Sequence, residues 1–321
     1  MAYALILQIL QTVFGVLAMI GNGIVVVVIY KVPYMHTITD AFIFNQAAID
    51  FVGSLYLILT VNIPRPDSYP DTPWFLFVCV WYRSLWAFYN SSTINLLALI
   101  CERYIALVFP TRYLKFYAKR AMVAMVVAVW LFGPLTIGLY LAATVKFEDA
   151  RCFITPSDLA RVWSTILIVV TFVLPTLAMM FVFGHIYVKL RRTRQDHTND
   201  DTTTSSEEQL QPVHRARRIA LKTLLCVFVS FFVCWTPIQT VFLLFNFGLF
   251  VNLSSTGPLS VLVSANLGIN PVIFAFKYKR FRRALSSLVH GTPLSENQNL
   301  QQSDAITLQS TADVTTPGPK I

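Results

Sequence analysis

Few side chains of this 321-residue chain could do chemistry, and they do not gather. Two places stand out by their surroundings. Asp50 interrupts an otherwise uncharged run over 41–64, and Glu102 with Arg103 ends the uncharged run Ser84–Cys101. A charge at the centre of a bilayer costs about 2.5–3.5 kcal/mol on insertion scales, so a charge retained there marks a functional site by default. A lone carboxylate among oxygen-bearing side chains could hold a small hard cation or anchor a hydrogen-bond network. A Glu-Arg pair could keep a guanidinium in store for a partner. Metal and nucleophilic catalysis find no support. His36, His185, His197, His214 and His290 form no intramembrane cluster, and the five cysteines show no CxxC or metal-ligand spacing. The chain therefore reads as neither an enzyme nor a metal protein.

The elements that must position these residues follow from composition. Of all residues 55% are apolar and 13% charged, where a soluble domain carries about 25% charged. Mean hydropathy is +0.60. The apolar residues must face lipid, and about 20 suffice for one helical crossing. Uncharged or nearly uncharged runs give five spans as far as Val188. Thr223–Phe276 then runs 54 residues without Asp, Glu, Lys or Arg, too long for one crossing. Turn chemistry between Asn246 and Pro258 divides it in two. The expected fold is an all-α membrane protein, a seven-transmembrane helix bundle. Its spans fall at about 4–30, 40–63, 74–107, 120–144, 161–190, 215–246 and 254–276, followed by an amphipathic surface helix over 277–289. Residues 1–289 form one seven-span membrane domain, and 290–321 a Ser/Thr/Gln-rich tail expected to be disordered.

Net charge is +9, which in a soluble protein would suggest nucleic acid. Here 20 of the 25 basic residues lie on one side of the spans, which places that side in the cytoplasm and the N-terminus outside. No nucleic-acid partner is expected, and a multi-pass plasma-membrane protein is. No internal repeat supports a transporter. Pro134, Pro175, Pro237 and Pro271 fall inside spans, where each removes a backbone donor and kinks its helix.

Taken in order, the spans carry Gly21-Asn22, then Asn45 with Asp50, then Glu102-Arg103-Tyr104. Trp130 and Pro175 follow, then Phe231 with Cys234-Trp235-Thr236-Pro237, then Asn270-Pro271-Val272-Ile273-Phe274. This ordered set resembles the rhodopsin-like (class A) G-protein-coupled receptors over residues 4–289. The resemblance implies a receptor that couples an extracellular ligand to a heterotrimeric G protein. It implies that Glu102, Arg103 and Tyr104 form the coupling switch, with Phe231, Trp235, Pro237, Asn270, Pro271 and Phe274 as its moving parts. It also places Asp50, Ser92, Asn266 and Asn270 where relatives hold an allosteric sodium ion; a hydrated network without an ion is the alternative. No other cofactor is implied.

Two departures bear on basal activity. His214-Arg-Ala-Arg-Arg218 has no acid where relatives tie the span-three arginine to span six, and Arg217 would repel Arg103. Phe183 and Phe274 stand where relatives often have tyrosine. The first departure favours ligand-independent signalling and the second opposes it.

Cys79 and Cys152 are the only cysteines on the outer side and resemble the family's extracellular disulfide, although Cys79 to Arg103 is one position shorter than usual. Asn252-Leu253-Ser254 is a glycosylation sequon. Lys277–Val289 would lie on the anionic inner leaflet, with Phe281, Leu285 and Leu288 inward and Lys279, Arg280, Arg282 and Arg283 outside that face. Ser303, Thr307, Ser310, Thr311, Thr315 and Thr316 could serve receptor kinases and arrestin.

The ligand is approached by exclusion. Span seven has no Lys for a retinal Schiff base, and outer span three has no Asp for an amine. Arg83, Leu85, Trp86, Tyr89, Trp163, Trp235 and Gln239 are the expected pocket. Aromatic walls with one cation suit a neuropeptide-like ligand or a small one bearing an acid or amide. A small acidic or lipid-like ligand, or a seven-helix channel or transporter, remains the alternative.

Overall fold

The computed structural model describes residues 2–63, 72–109, 113, 119–148, 151–154, 158–198, 204–249 and 256–291. Within these, side chains are described outside 72–79, 82, 107, 119, 146–154, 189–198 and 204–221. The architecture is helical almost throughout, as lipid demands: with no water to satisfy backbone groups, the chain closes its own hydrogen bonds.

Helix α1 covers Ala2–Lys31, α2 Ile38–Asn62, α3 Thr72–Val108 and α4 Lys119–Thr144. A hairpin of β1 (Val145–Glu148) and β2 (Arg151–Ile154) follows, antiparallel, with Phe147 opposite Cys152. The fifth span is α5 (Asp158–Ile168) and α6 (Leu174–Thr198), joined by a π-helical turn over Val169–Val173. That turn ends two residues before Pro175, so the widened backbone falls next to the missing donor. Helix α7 (Thr204–Asn246) holds span six, α8 (Thr256–Lys277) span seven, and α9 (Lys279–His290) is the surface helix. Gly291 ends α9 in the left-handed conformation, φ 63°.

Among the described residues six helical stretches are long and apolar enough to cross a membrane. The remaining crossing is α3, with its 37 residues. Its hydropathy is lowered by the residues that make it the centre of the bundle. Asn90, Ser91, Ser92, Thr93 and Asn95 are all buried against its neighbours α2, α4 and α6. Outer helices show the reverse pattern. In α1, Ala18, Asn22, Val25 and Ile29 turn inward at helical spacing, while Leu17, Ile20, Ile24 and Val27 face outward.

Close approach is explicit at one glycine. A Cβ on Gly133 of α4 would overlap the Ala87 carbonyl oxygen and Ser91 Oγ of α3, so only glycine lets these helices meet. Pro271 shows how a kink is compensated. It lacks the N–H that would bond the Leu267 carbonyl, and Asn22 Nδ2 of α1 donates to that carbonyl at 2.9 Å instead. The Gly21-Asn22 and Asn270-Pro271 elements thereby become one joint between spans one and seven.

Candidate functional site

The outer halves of α1, α2, α3, α7 and α8 enclose a cavity of about 620 Å³. Leu85, Trp86 and Tyr89 line it as the sequence predicts. Trp235 lies beneath it, its ring edge-on to Tyr89 at 5.3 Å and to Trp86 at 6.1 Å. The Trp235 indole nitrogen is buried and, among the described residues, has no hydrogen-bond partner. Arg83, Trp163, Trp235 and Gln239 are not among the described lining residues. Gln8, Gln11, Thr60, Asn62, Ser260 and Ser264 supply amides and hydroxyls, and no described lining residue is charged. Sequence reading passed over them because uncharged polar residues do not interrupt an apolar run. Gln8 and Gln11, three apart in α1, were the available signal.

Below Trp235 the aromatic stack continues through Phe231 at 6.0 Å and on to Phe172 at 6.1 Å. Pro237, two residues after Trp235, is half-buried. Deeper still, the Asp50 carboxylate is fully buried. Its Oδ1 accepts from Ser92 Oγ at 2.8 Å, and its Oδ2 from Asn270 Nδ2 at 2.9 Å. Asn266 is buried but makes no hydrogen bond to Asp50. A residue that the sequence reading missed joins instead: Gln46 Nε2 donates to Asp50 Oδ2 at 3.0 Å and to Ser92 Oγ at 2.5 Å. Gln46 sits one turn before Asp50 and is as uncharged as its apolar neighbours, so it left no gap in the charge pattern.

The inner end carries the Glu102-Arg103-Tyr104 element. Glu102 is fully buried, and its Oε2 lies 2.8 Å from Arg103 Nε. Its Oε1 accepts from Thr39 Oγ1 at 2.9 Å and from the Tyr113 hydroxyl. Burial, and then the Glu102 charge, hold the Tyr113 phenol above its ordinary range, so it remains a donor. Tyr104 packs its ring against Phe109 and His185. Phe274 is buried in the core with no hydroxyl to offer, and Phe183 packs on Phe228.

A second polar cluster adjoins this one. Thr37 caps α2, accepting from the Asp40 backbone N–H at 3.2 Å. The Asp40 carboxylate is buried; it accepts from the Tyr278 hydroxyl at 2.7 Å and lies 3.6 Å from Arg280 Nη1. Arg280 also donates to the Tyr34 carbonyl. This corrects the expectation that Arg280 points away with its basic neighbours: a buried carboxylate outbids the headgroups for it. Phe281 is buried and Leu285 half-buried on the predicted apolar face, while Leu288 is exposed.

The family model of the seven-transmembrane receptors of the rhodopsin family matches residues 21–274. The chain belongs to that family. It is a receptor and not an enzyme. It is 25% identical to the RYamide receptor of Drosophila melanogaster over 91% of this chain, and spans 64% of that receptor's length. It is 26% identical to trace amine-associated receptor 7a of Rattus norvegicus over 91% of this chain and 85% of the other, and 26% identical to trace amine-associated receptor 6 of Homo sapiens over 90% and 87%.

Several expectations for the receptor fall outside what is described. Cys79 lies in α3 and Cys152 in β2, but their side chains are outside the described set. Asn252, the side chains of His214 to Arg218, and the tail beyond Gly291 lie outside it as well.

Proposed function

We propose that this receptor binds a peptide-like, amide-bearing ligand at its outer face and couples to a heterotrimeric G protein through Arg103 at the inner face. The observation that carries the ligand class is the uncharged, amide- and hydroxyl-rich lining of the outer cavity. Its volume of about 620 Å³ falls within the roughly 300–1,000 Å³ common for ligand pockets. Backbone amides and terminal carboxamides need neutral donors and acceptors, which Gln8, Gln11, Asn62 and Tyr89 offer. The unpartnered Trp235 indole N–H favours a ligand that brings an acceptor, such as a carbonyl. Similarity to an RYamide receptor agrees with this. Similarity to trace amine receptors opens an amine reading, but a buried ammonium needs a carboxylate, and none lines the described cavity.

Coupling rests on Arg103, restrained by the adjacent Glu102 and released when span six moves away. The basic loops lie in the cytoplasm of a plasma-membrane protein whose N-terminus is outside. The Ser/Thr-rich tail serves arrestin and receptor kinases. The test expresses wild type and Arg103→Ala at matched surface level and records signals of the four Gα classes. Amidated RYamide-type peptides, their free-acid forms and trace amines are applied in turn. Signal from the amidated peptides, lost in Arg103→Ala, is the expected result. A response confined to amines would refute the ligand class, and a response undiminished in Arg103→Ala would refute the coupling role.

A further inference from the structure

The geometry points to the side-chain amide of Gln46 as the group that stands where a sodium ion would stand, so that Asp50 in this receptor is compensated from within and binds no sodium. A small hard cation requires a shell of oxygen atoms turning lone pairs toward it. The residues here present protons instead. Asp50 accepts at both oxygens, from Ser92, Asn270 and Gln46. Asn270 turns its amide nitrogen to the carboxylate, and a carboxylate facing an amide can only accept, so that orientation is fixed chemically. Ser92 spends its proton on Asp50 and a lone pair on Gln46. A cation bridging Asp50 and Ser92 would require the space that Gln46 Nε2 holds, 3.0 Å from one oxygen and 2.5 Å from the other. Asn266, the fourth expected ligand, makes no bond to the carboxylate.

Gln46 is also held from behind. Its Oε1 accepts from Asn95 Nδ2 at 2.8 Å. Asn95 Oδ1 accepts from Asn45 Nδ2 at 2.7 Å, and Asn45 Oδ1 from Trp130 Nε1 at 2.8 Å. Admitting an ion would therefore turn Gln46 out of a continuous chain that runs from α4 to α8, leaving buried donors without acceptors. Gln46 is a positioning residue: it orients Asp50, and Asp50 orients Asn270 in the kink of span seven.

Thermal unfolding of the purified receptor tests this without reference to any ligand or G protein. Wild type and Gln46→Leu are melted in sodium, potassium and choline chloride at equal ionic strength. Wild type is expected to melt at one temperature in all three salts. Gln46→Leu is expected to melt lower and to regain roughly 2–4 °C in sodium alone, because it vacates the space and frees the Ser92 lone pair. A sodium-selective rise in wild type overturns the proposal. So does a Gln46→Leu protein indifferent to sodium, since Gln46 would not then be what excludes the ion. Should the leucine variant not be recovered, Gln46→Ala, which also vacates that space, takes its place.

Discussion

Replacing Glu102 with Gln removes a charge and little else. The retained carbonyl oxygen still accepts from Thr39 and Tyr113, as Oε1 does now. What is lost is the carboxylate 2.8 Å from Arg103 Nε. Unit charges about 4 Å apart attract by about 4 kcal/mol at an effective dielectric near 20. Arg103 keeps 26% of its side chain exposed, so water takes back part of that attraction. The atom then facing Arg103 Nε is an amide nitrogen, itself a donor, so that charge-assisted bond, worth about 1.5–3 kcal/mol, is lost outright. Among the described residues Glu102 is the only ion-pair partner of Arg103. A shift of about 1.4 kcal/mol is tenfold in population; a resting active fraction of about 1% would become about 10%. Basal Gα activation at matched surface expression should rise several-fold to tenfold in Glu102→Gln and vanish again in the double variant with Arg103→Ala. An unchanged or lowered basal signal in Glu102→Gln would refute the view that this carboxylate restrains Arg103.

Three further outcomes follow from packing and charge. Asn22→Ala leaves the Leu267 carbonyl, freed by Pro271, without its donor; a loss of about 1–3 kcal/mol is expected as a lower melting temperature. Gly133→Ala forces α3 and α4 apart at a cost of about 1–3 kcal/mol, whereas Gly138→Ala on the same helix meets nothing within 4 Å and should melt no lower than wild type. Tyr113 and Tyr278 phenols lie above their ordinary value of 10.0, chiefly through burial and then through Glu102 or Asp40. A raised value keeps its full stabilisation below about pH 10 and loses it as pH climbs further. Melting temperature should accordingly be flat up to about pH 9 and fall steeply above 10, and Tyr113→Phe with Tyr278→Phe should blunt that fall.

The parts of this molecule legible in its sequence are those written in charge. Gaps between charged residues located the spans, because lipid tolerates few charges, and Asp50, Glu102 and Arg103 stood out for the same reason. Neutral polar residues left no such trace. Gln46, Asn95, Gln8 and Gln11 look like filler in apolar helices, yet they build the central network and the outer cavity. Asp40 was hidden differently: it stands where a span meets its loop, a place where charge is unremarkable, and only folding shows it buried. Arg280 was misplaced because helical periodicity ranks residues by their own helix, whereas its partner lies on α2. The β1–β2 hairpin gave no alternation long enough to read.

Asp40 has a consequence for how the chain is made. Its partners Tyr278 and Arg280 are translated some 238 and 240 residues after it. Until they emerge, a carboxylate destined for burial sits at the membrane edge with no counter-charge and only the nearby Thr37 hydroxyl as a side-chain donor. The first two helices can insert, but their inner corner stays unfinished until the last helix leaves the ribosome and turns back onto it. A transcript ending before Tyr278 would yield all seven crossings and still leave that corner bare. The surface helix thus closes a circuit opened at the start of synthesis.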